Sequence, residues 1–549
     1  MKKLSTVSIA ATILFSSILC SCSPLLRNSA SDASSNAQNI KVFTSFYAKP
    51  GTPISDDNII QQKIAEKIGA KCIESWLQNG ETAEDAISKM ILSGEYPDFI
   101  YPENTQHQRL IDAGAYIPID EYWDEYPNLR NYFTDDIWDK LRADDGHIYI
   151  IPAFSNVYMH STQPKHGEEA FWVQVKVLKW AGYPEIKTLD EYFDLLDRYL
   201  EANPTDENGN ENIGYEILTD GYLYFCLENP PQFLDGYPND GCCIVNPDTL
   251  EAVDYNTTDT AKKWFKKLNE EFKKGTIDSE CFLLTQDQYY SKISSGNVLG
   301  MADQGWNYQI ATYNLPDECQ YVPIGVVIDD SISPHYLSQP TFDYSSGLGI
   351  TVSCTDVDGA VKFINDLLDP EIHDLRYWGI EGQNYNVDEN GLFYLTDEQY
   401  ETRKSSDYVT NVKCEYTYFP FYGGMDLDGI NASTPSNQPS VFFSQLSDIM
   451  KECFTAYGVQ TFVDLLNKPE ENEPWFPMWS YSNTFTSDTD YGKAKEDMDR
   501  VKHEYLPKVV MSDDFESSWN EYLGVYYSEC DIDAYLSELT AEIRRRAGK

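Results

Sequence analysis

The chain has 549 residues and a formal net charge of −48, because it holds 89 acidic residues against 41 lysines and arginines. A surface this acidic repels nucleic acids, which are bound by clustered Lys and Arg, and it disfavours polyanionic ligands such as uronate polymers. Net charge affects solubility and association and does not set the fold, so we attribute much of this charge to solubility. The length allows two or three domains, and 40 Tyr, 25 Phe and 11 Trp suffice for a large core and a binding cleft.

The N-terminus has the features of an export signal. Two lysines precede an apolar run over residues 7–19, which is shorter than the about 20 residues of a membrane-spanning helix. The run ends in LCSC at residues 19–22, which resembles the lipobox where bacterial lipoproteins are cleaved. We predict a signal peptide over residues 1–21, lipidation of Cys22 as an anchor on the outer face of the cell membrane, and a flexible tether over residues 22–39. The alternative is an ordinary secretory signal with incidental cysteines.

From residue 40 onward the hydrophobic pattern is that of a globular α/β domain. Strands are predicted over residues 41–47, 70–76 and 97–101, separated by helices over residues 57–68 and 84–94. Both helices end at glycine, and the first has isoleucines spaced along one face. Strands that alternate with short helices indicate βαβ units and a mainly parallel sheet.

The remaining elements become more helical toward the C-terminus. The predictions are acidic, aromatic helices over about 120–142, a strand within 145–154, helices over 188–200 and 259–275, a strand followed by a loop within 296–306, and mostly helix from about 440, closing with 531–546. Thr188 and Glu191 predict a capping box at the start of one helix.

Six segments carry a family resemblance through their order and spacing. They are EYPDFIY (95–101), DGHIYIIP (145–152), WAGYPEIKTLDEYFDLL (180–196), SGNVLGMADQGW (295–306), RYWGIEGQNYNVDENG (376–391) and the closing AYLSELTAEIRRR (534–546). Together with the lipobox, they resemble the bacterial extracellular solute-binding proteins of family 1, in particular the LipO-like lipoproteins of ABC importers.

The resemblance implies an α/β, periplasmic-binding-protein-like fold, in which two lobes joined by a hinge close on a ligand, with a helix-rich C-terminal part. We place lobe one at about 40–153 plus about 340–400, and lobe two at about 154–335 plus about 405–549. The implied function is the capture of a carbohydrate, typically an oligosaccharide, by a monomer that delivers it to the membrane permease of an ABC importer.

Sugar-binding clefts combine aromatic faces with carboxylate and amide side chains, and ligands of α/β proteins lie beyond the carboxyl ends of strands. The candidates for ligand binding therefore follow predicted strands and crossover turns: Tyr47, Glu103, Asn104, Asn156, Trp172, Asp303, Trp306, Tyr344, Trp378 and Glu381. Each can instead serve packing or a turn. Trp306 leads because it follows a strand in a polar loop. Most other tryptophans are expected in the core, with Trp172 and Trp479 as exceptions.

One polar segment, residues 203–216, has oxygen ligands at alternate positions, as calcium loops do. Asp206, Asn208 and Asn210 are the candidate calcium ligands, with Glu216 as a substitute for the missing acidic end of the loop. Long relatives carry such a loop, but here the glycine position of the pattern is displaced. A calcium site and a plain polar turn both stay open.

Signatures of catalysis are lacking. The sequence has no GxSxG, HExxH, P-loop or dinucleotide-binding fingerprint, and its seven histidines are scattered. We therefore predict a binding protein, not an enzyme, with no cofactor other than the candidate calcium. An exported glycoside hydrolase is the alternative, since it needs only two carboxylates, and a receptor subunit that presents ligand to a sensor kinase would keep the same cleft. A peptide ligand, and pairing among the ten cysteines beyond Cys22, also stay open.

Overall fold

The computed structural model describes residues 40–78, 80–102, 106–156, 161–339 and 346–549. The predicted signal peptide, Cys22 and the tether lie outside these residues. Among the described residues, no helix combines the length and the apolar character that a membrane-spanning segment requires.

The strands are short, and most belong to two separate sheets. Their bounds are β1 Lys41–Tyr47, β2 Ala70–Trp76, β3 Phe99–Tyr101, β4 Phe154–Ser155, β5 Glu169–Gln174, β6 Ile213–Glu216, β7 Ile244–Asn246, β8 Glu251–Val253, β9 Val298–Gln304, β10 Tyr321–Ile324, β11 Gly349–Ile350, β12 Asn386–Val387, β13 Phe393–Tyr394 and β14 Phe421–Tyr422.

The α-helices occupy more of the chain than the strands do. Their bounds are α1 Ile59–Ile68, α2 Ala83–Ser93, α3 Gln106–Asp112, α4 Pro127–Arg130, α5 Asp135–Lys140, α6 Val175–Trp180, α7 Leu189–Ala202, α8 Phe225–Glu228, α9 Pro230–Leu234, α10 Asp259–Lys274, α11 Gln286–Ser294, α12 Gly305–Tyr308, α13 Val357–Leu367, α14 Pro370–Tyr377, α15 Asp397–Arg403, α16 Ser406–Asn411, α17 Pro439–Ser444, α18 Asp448–Tyr457, α19 Trp479–Ser482, α20 Asp490–Met511, α21 Phe515–Glu529 and α22 Ile532–Arg546.

The first lobe is built on a four-stranded sheet with the order β11-β3-β1-β2. β1 runs parallel to β2 and β3, and β11 is antiparallel to β3. On one face, Phe43 and Phe99 share a buried cluster with Ile60 of α1. On the other face, Phe46 packs in a cluster with Ile87 of α2. Helices cover both faces, as the predicted βαβ pattern requires.

The second lobe has its own sheet, with the order β10-β5-β9-β6. β9 is antiparallel to β5 and parallel to β6. Its core includes Trp172 of β5 and Trp264 of α10, together with residues of α20, α21 and α22 such as Trp519 and Leu539. The predicted α/β class with a helix-rich C-terminal part is confirmed.

Local sequence signals explain where several helices begin and end. Thr188 and Glu191 form the predicted capping box at the start of α7, satisfying backbone N–H groups that the helix leaves unpaired. α10 ends at Gly275, whose φ of 85° is the left-handed conformation that closes helices.

Two sequence predictions differ from the structure. The strand predicted within 145–154 does not form: Ile151 makes a single bridge to Leu348, and only β4 at its end is a strand. The second lobe was predicted to resume near residue 405, but Cys414 and Tyr422 lie in the first core. The reason is that β14 pairs in parallel with β4, which keeps this segment beside the connection between the lobes.

Candidate functional site

A cavity of about 590 Å³ lies at the carboxyl end of β9, in the second lobe. In α/β proteins this end of a strand is where ligands bind. Aromatic, acidic, amide and basic side chains all contribute to its wall, including Glu168, Tyr222, Phe225, Glu228, Asn229, Gln304, Trp306, Trp479, Lys495, Asp499, Lys502 and His503.

Three large aromatic side chains of the cavity wall are exposed to solvent. Trp306 is 55% exposed, Trp479 is 48% exposed and Tyr222 is 75% exposed. Trp306 lies on α12, and its ring is 5.8 Å from that of Phe225. α12 can start here because Gly305 has no side chain: a Cβ would come within 2.7 Å of the His166 carbonyl oxygen.

A buried hydrogen-bond network lies behind this wall of the cavity. Asp303 of β9 is fully buried and accepts hydrogen bonds from the Tyr289 hydroxyl at 2.7 Å and from Asn307 Nδ2 at 3.0 Å. Burial raises the pKa of Asp303 to about 6. Glu169 Oε2 accepts from Asn229 Nδ2 at 3.0 Å and from Gln304 Nε2 at 3.1 Å, and burial holds the pKa of Glu169 well above its usual value. The network fixes two amide side chains of the cavity wall.

Charged groups of both signs also line the cavity. Burial raises the pKa of Glu228 to about 7. Burial by itself would lower the pKa of Lys502, but Asp254 and Glu228 raise it above its usual value. The rings of Tyr224 and His503 stack with centroids 3.7 Å apart. The wall thus offers hydrogen-bond donors and acceptors beside exposed aromatic faces.

The first lobe has a group of aromatic side chains at the carboxyl end of its parallel strands, as the cavity lies at the carboxyl end of β9 in the second lobe. Tyr47, Trp76 and Tyr101 are the last residues of three parallel strands, and Tyr47 is in register with both others. Tyr418 stacks on Tyr101 with ring centroids 4.4 Å apart. Tyr101 and Tyr418 are half-buried, whereas Tyr47 is fully buried and donates a 3.0 Å hydrogen bond to Glu74.

Among the predicted ligand-binding residues, Trp306 lines the cavity, and so does Trp479, which the sequence singled out as an exception. Glu103, Asn104 and Tyr344 lie outside the described residues. Glu381 is exposed on a turn, where it makes a bridge with Tyr385.

The other predicted ligand-binding residues within the described part of the chain are buried in this structure, and ligand contact by them stays a prediction. The residues concerned are Tyr47, Asn156, Trp172, Asp303 and Trp378. Trp172 donates its indole N–H to the Asp303 carbonyl oxygen at 2.8 Å, and Trp378 donates to the Ala432 carbonyl oxygen at 3.0 Å. Strand ends and turns are where ligands bind, but they are also where chains cross and pack, so position along the sequence did not separate the two roles.

The predicted calcium residues are not brought together as a set of four. Asp206, Asn208 and Asn210 form one tight turn, in which Asp206 Oδ1 accepts from the backbone N–H groups of the other two at 2.9 and 2.8 Å. Glu216 is buried on β6 and faces Asp278 and Lys292 instead. These residues therefore do not fit the predicted calcium loop, and calcium binding by the three-residue turn stays a prediction.

Several cavity residues had no recognisable signal in the sequence. Tyr222 and Glu228 come from consecutive short helices, and Lys502 and His503 come from α20, which is distant from them in the chain. Helical Lys, Glu and His residues are ordinary on protein surfaces, so only tertiary packing reveals that these line one cavity.

Comparisons with known proteins agree with this fold. The profile of a family described as bacterial extracellular solute-binding protein matches residues 69–382. The fructooligosaccharide ABC transporter substrate-binding protein FusA of Streptococcus pneumoniae is 22% identical over 248 residues, which cover 43% of this chain and 44% of that relative. The alignment thus spans less than half the length of this relative.

Two solved structures share the fold over almost the whole chain. The S. pneumoniae FusA complex with kestose has 16% identity and a TM-score of 0.53, covering 93% of this chain and all of that one. A solute-binding protein from Bifidobacterium longum infantis, described as binding HMO and associated with an ABC transporter, has 15% identity and a TM-score of 0.55, covering 92% and 98%. The profile match spans more than half of the chain, and the chain therefore belongs to the bacterial extracellular solute-binding protein family.

Proposed function

We propose that this protein captures an oligosaccharide outside the cytoplasm and delivers it to the permease of an ABC importer. The observation that carries the proposal is the pairing of two half-exposed tryptophans, Trp306 and Trp479, in one cavity with carboxylate and amide groups. Aromatic faces stack on the apolar C–H faces of pyranose and furanose rings, while carboxylates and amides bind their hydroxyls. Family membership and the sugar-binding relatives support the same ligand class.

The proposed mechanism uses both lobes. The aromatic group around Tyr101 and Tyr418 is at the carboxyl edge of the first sheet, as the cavity is at that of the second. A ligand that contacts both edges binds the closed form more tightly than the open form and shifts the population toward closure. The permease would then recognise the closed form.

Thermal unfolding in the presence of a ligand panel tests the proposal. The panel holds fructooligosaccharides, milk-type oligosaccharides, uronate oligomers and peptides. A true ligand at 100 times its dissociation constant should add about 2.7 kcal/mol of stability, and neutral oligosaccharides should give the largest increase in melting temperature. Stabilisation by peptides alone would contradict the proposal.

The same samples test whether the protein turns its ligand over. After prolonged incubation, the bound oligosaccharide should be recovered chemically intact. Cleavage that depends on the protein would instead place it among glycoside hydrolases, for which a pair of carboxylates suffices.

The membrane anchor is proposed from the sequence motif at residues 19–22. Cys22→Ala should block lipidation and release the protein from the membrane fraction, because two acyl chains on the N-terminal cysteine hold such proteins stably at the bilayer, whereas one chain binds only marginally. Cys20→Ala is the matched control and should leave the membrane-bound fraction unchanged. Membrane fractionation and mass spectrometry of the N-terminus measure the effect, and an unaltered N-terminus in Cys22→Ala would refute the anchor.

A further inference from the structure

Three metal-ligating side chains meet at the edge of the cavity. Asp240, Cys242 and Cys243 each offer one ligand atom, and these atoms lie within 4.8 Å of one another. Cys242 Sγ is 3.1 Å from Asp240 Oδ1 and 3.9 Å from Cys243 Sγ. Asp240 and Cys242 also line the cavity, so the group is accessible from it.

The backbone around these residues is held in place by neighbouring groups. Gln232 Oε1 accepts hydrogen bonds from the backbone N–H groups of Asp240 at 3.2 Å and Gly241 at 3.1 Å. Gly241 has a φ of 77°, a backbone conformation that residues with a side chain rarely adopt. The glycine therefore lets the chain turn between Asp240 and Cys242. The three ligand atoms are therefore brought together by a loop that is already ordered.

The carboxylate is oriented by a second element. Asp240 Oδ2 accepts from the Met478 N–H at 2.9 Å, and Oδ1 accepts from the Trp479 N–H at 3.0 Å, where α19 begins. Metal-binding carboxylates are commonly fixed in this way by hydrogen bonds from outside the ligand set. Asp240 Oδ2 keeps a second lone pair that a cation can use, whereas Oδ1 also accepts the Cys242 thiol at 3.1 Å, whose proton is lost when the sulfur binds a metal.

A disulfide between the two cysteines is disfavoured by their adjacency. Consecutive Cα atoms are about 3.8 Å apart across a trans peptide, below the about 4.4–6.8 Å of ordinary disulfides. The cysteines of the described residues are all free, and Cys243 is buried. The pair can thus remain as thiols even in an oxidising compartment.

The sulfur spacing suits a soft divalent cation. Zinc–sulfur bonds of about 2.3 Å in a tetrahedron place two sulfurs about 3.8 Å apart, close to the 3.9 Å between Cys242 and Cys243. Thiolate ligands select zinc-like ions over calcium and magnesium, which prefer oxygen.

We propose that Asp240, Cys242 and Cys243 form a binding site for a thiophilic divalent cation such as Zn²⁺. Water in the cavity supplies the remaining ligand. Asp240 also accepts a hydrogen bond from the Trp479 N–H. The bound ion therefore connects the loop of Asp240, Cys242 and Cys243 to the start of α19 and holds Trp479 at the cavity wall.

Titration of the protein with Cd²⁺ tests the site, because cadmium bound to thiolates gives a charge-transfer absorption in the ultraviolet. The protein should show this absorption at one Cd²⁺ per chain, and Zn²⁺ should displace it. Cys242→Ser and Cys243→Ser should each weaken Cd²⁺ binding more than about tenfold, the lower limit seen even for partners outside the ligand set of a metal. Cys281→Ser, at a buried cysteine outside the group, is the matched control and should bind as the unaltered protein does.

The unaltered protein decides the question even if a serine variant fails to fold. Absence of the thiolate absorption in it would overturn the proposal, and so would equal binding by a folded Cys242→Ser variant. A second described group, His373, Asp374 and Asp426, could also hold a metal ion. Binding that is lost in Asp374→Asn and retained in Cys242→Ser would assign the ion to that group and would equally overturn the proposal.

Discussion

Replacing Trp306 and Trp479 together with alanine should weaken oligosaccharide binding by about 30-fold. Each aromatic contact contributes about 1 kcal/mol beyond the area that it buries, and about 2 kcal/mol corresponds to that change in the dissociation constant. Calorimetric titration with the oligosaccharide that stabilises the protein most measures the effect. Because both rings are about half exposed, the melting temperature of the ligand-free protein should change little.

The control for this prediction is Trp180→Ala. Trp180 is 44% exposed and lies outside the cavity, with its ring against the edge of Tyr199. It should leave binding unchanged. The single variants should each account for about half of the loss, since the two rings lie on different elements. Unchanged affinity in the double variant, or a large loss of stability without ligand, would exclude a role of these rings as stacking platforms.

Arg376→Met should lower the free energy of unfolding by about 3–5 kcal/mol, because five buried backbone acceptors lose their hydrogen-bond donor. Arg376 is 2% exposed on α14. Its guanidinium donates to five backbone carbonyl oxygens, those of Leu367, Glu415, Tyr416, Phe419 and Pro420, at 2.8–3.3 Å. Methionine fills the space but leaves these carbonyls without a donor, and each unpaired buried acceptor costs about 1–3 kcal/mol.

Two variants make this result specific, with denaturant unfolding as the measurement. Arg376→Lys keeps the charge but has three donors on one nitrogen, so it cannot span the same carbonyls and should recover only part of the loss. Arg198→Met removes an exposed arginine paired with Asp194 and should change stability by less than about 1 kcal/mol. A loss in Arg376→Met as small as that in Arg198→Met would refute the structural role of Arg376.

The loop that Arg376 holds matters for function because it leads into the connection between the lobes. It carries Tyr418, which stacks on Tyr101, and runs into β14, which pairs with β4. A weakened loop should therefore affect both the first-lobe aromatic group and the hinge. Nothing in the sequence RYWGIEG marked the arginine as structural, because its partners are backbone carbonyls and all of them except Leu367 lie more than 35 residues away.

The elements with strong local signals could be predicted from the sequence. The strands at 41–47 and 70–76 and the capped helices α7 and α10 are confirmed. Their hydrophobic periodicity, capping residues and terminal glycines act within a few residues, so the sequence itself contains the physical cause. The strand predicted within 145–154 was wrong, because this apolar segment has no neighbouring strand over most of its length. Its apolar side chains are buried by packing and not by a sheet.

The sequence by itself determined the alternation of strands and helices, the family resemblance and Trp306 as a candidate, because each depends on short-range pattern. Only the tertiary structure decided which aromatic side chains face the cavity. Trp172 and Trp378 have the same sequence context of strand or turn as Trp306, yet both are buried with their indole N–H groups bound to backbone carbonyls. Exposure depends on what the rest of the chain packs against a residue, and those contacts come from segments that are far apart in the sequence, as the presence of Trp306 and Trp479 in the wall of one cavity illustrates.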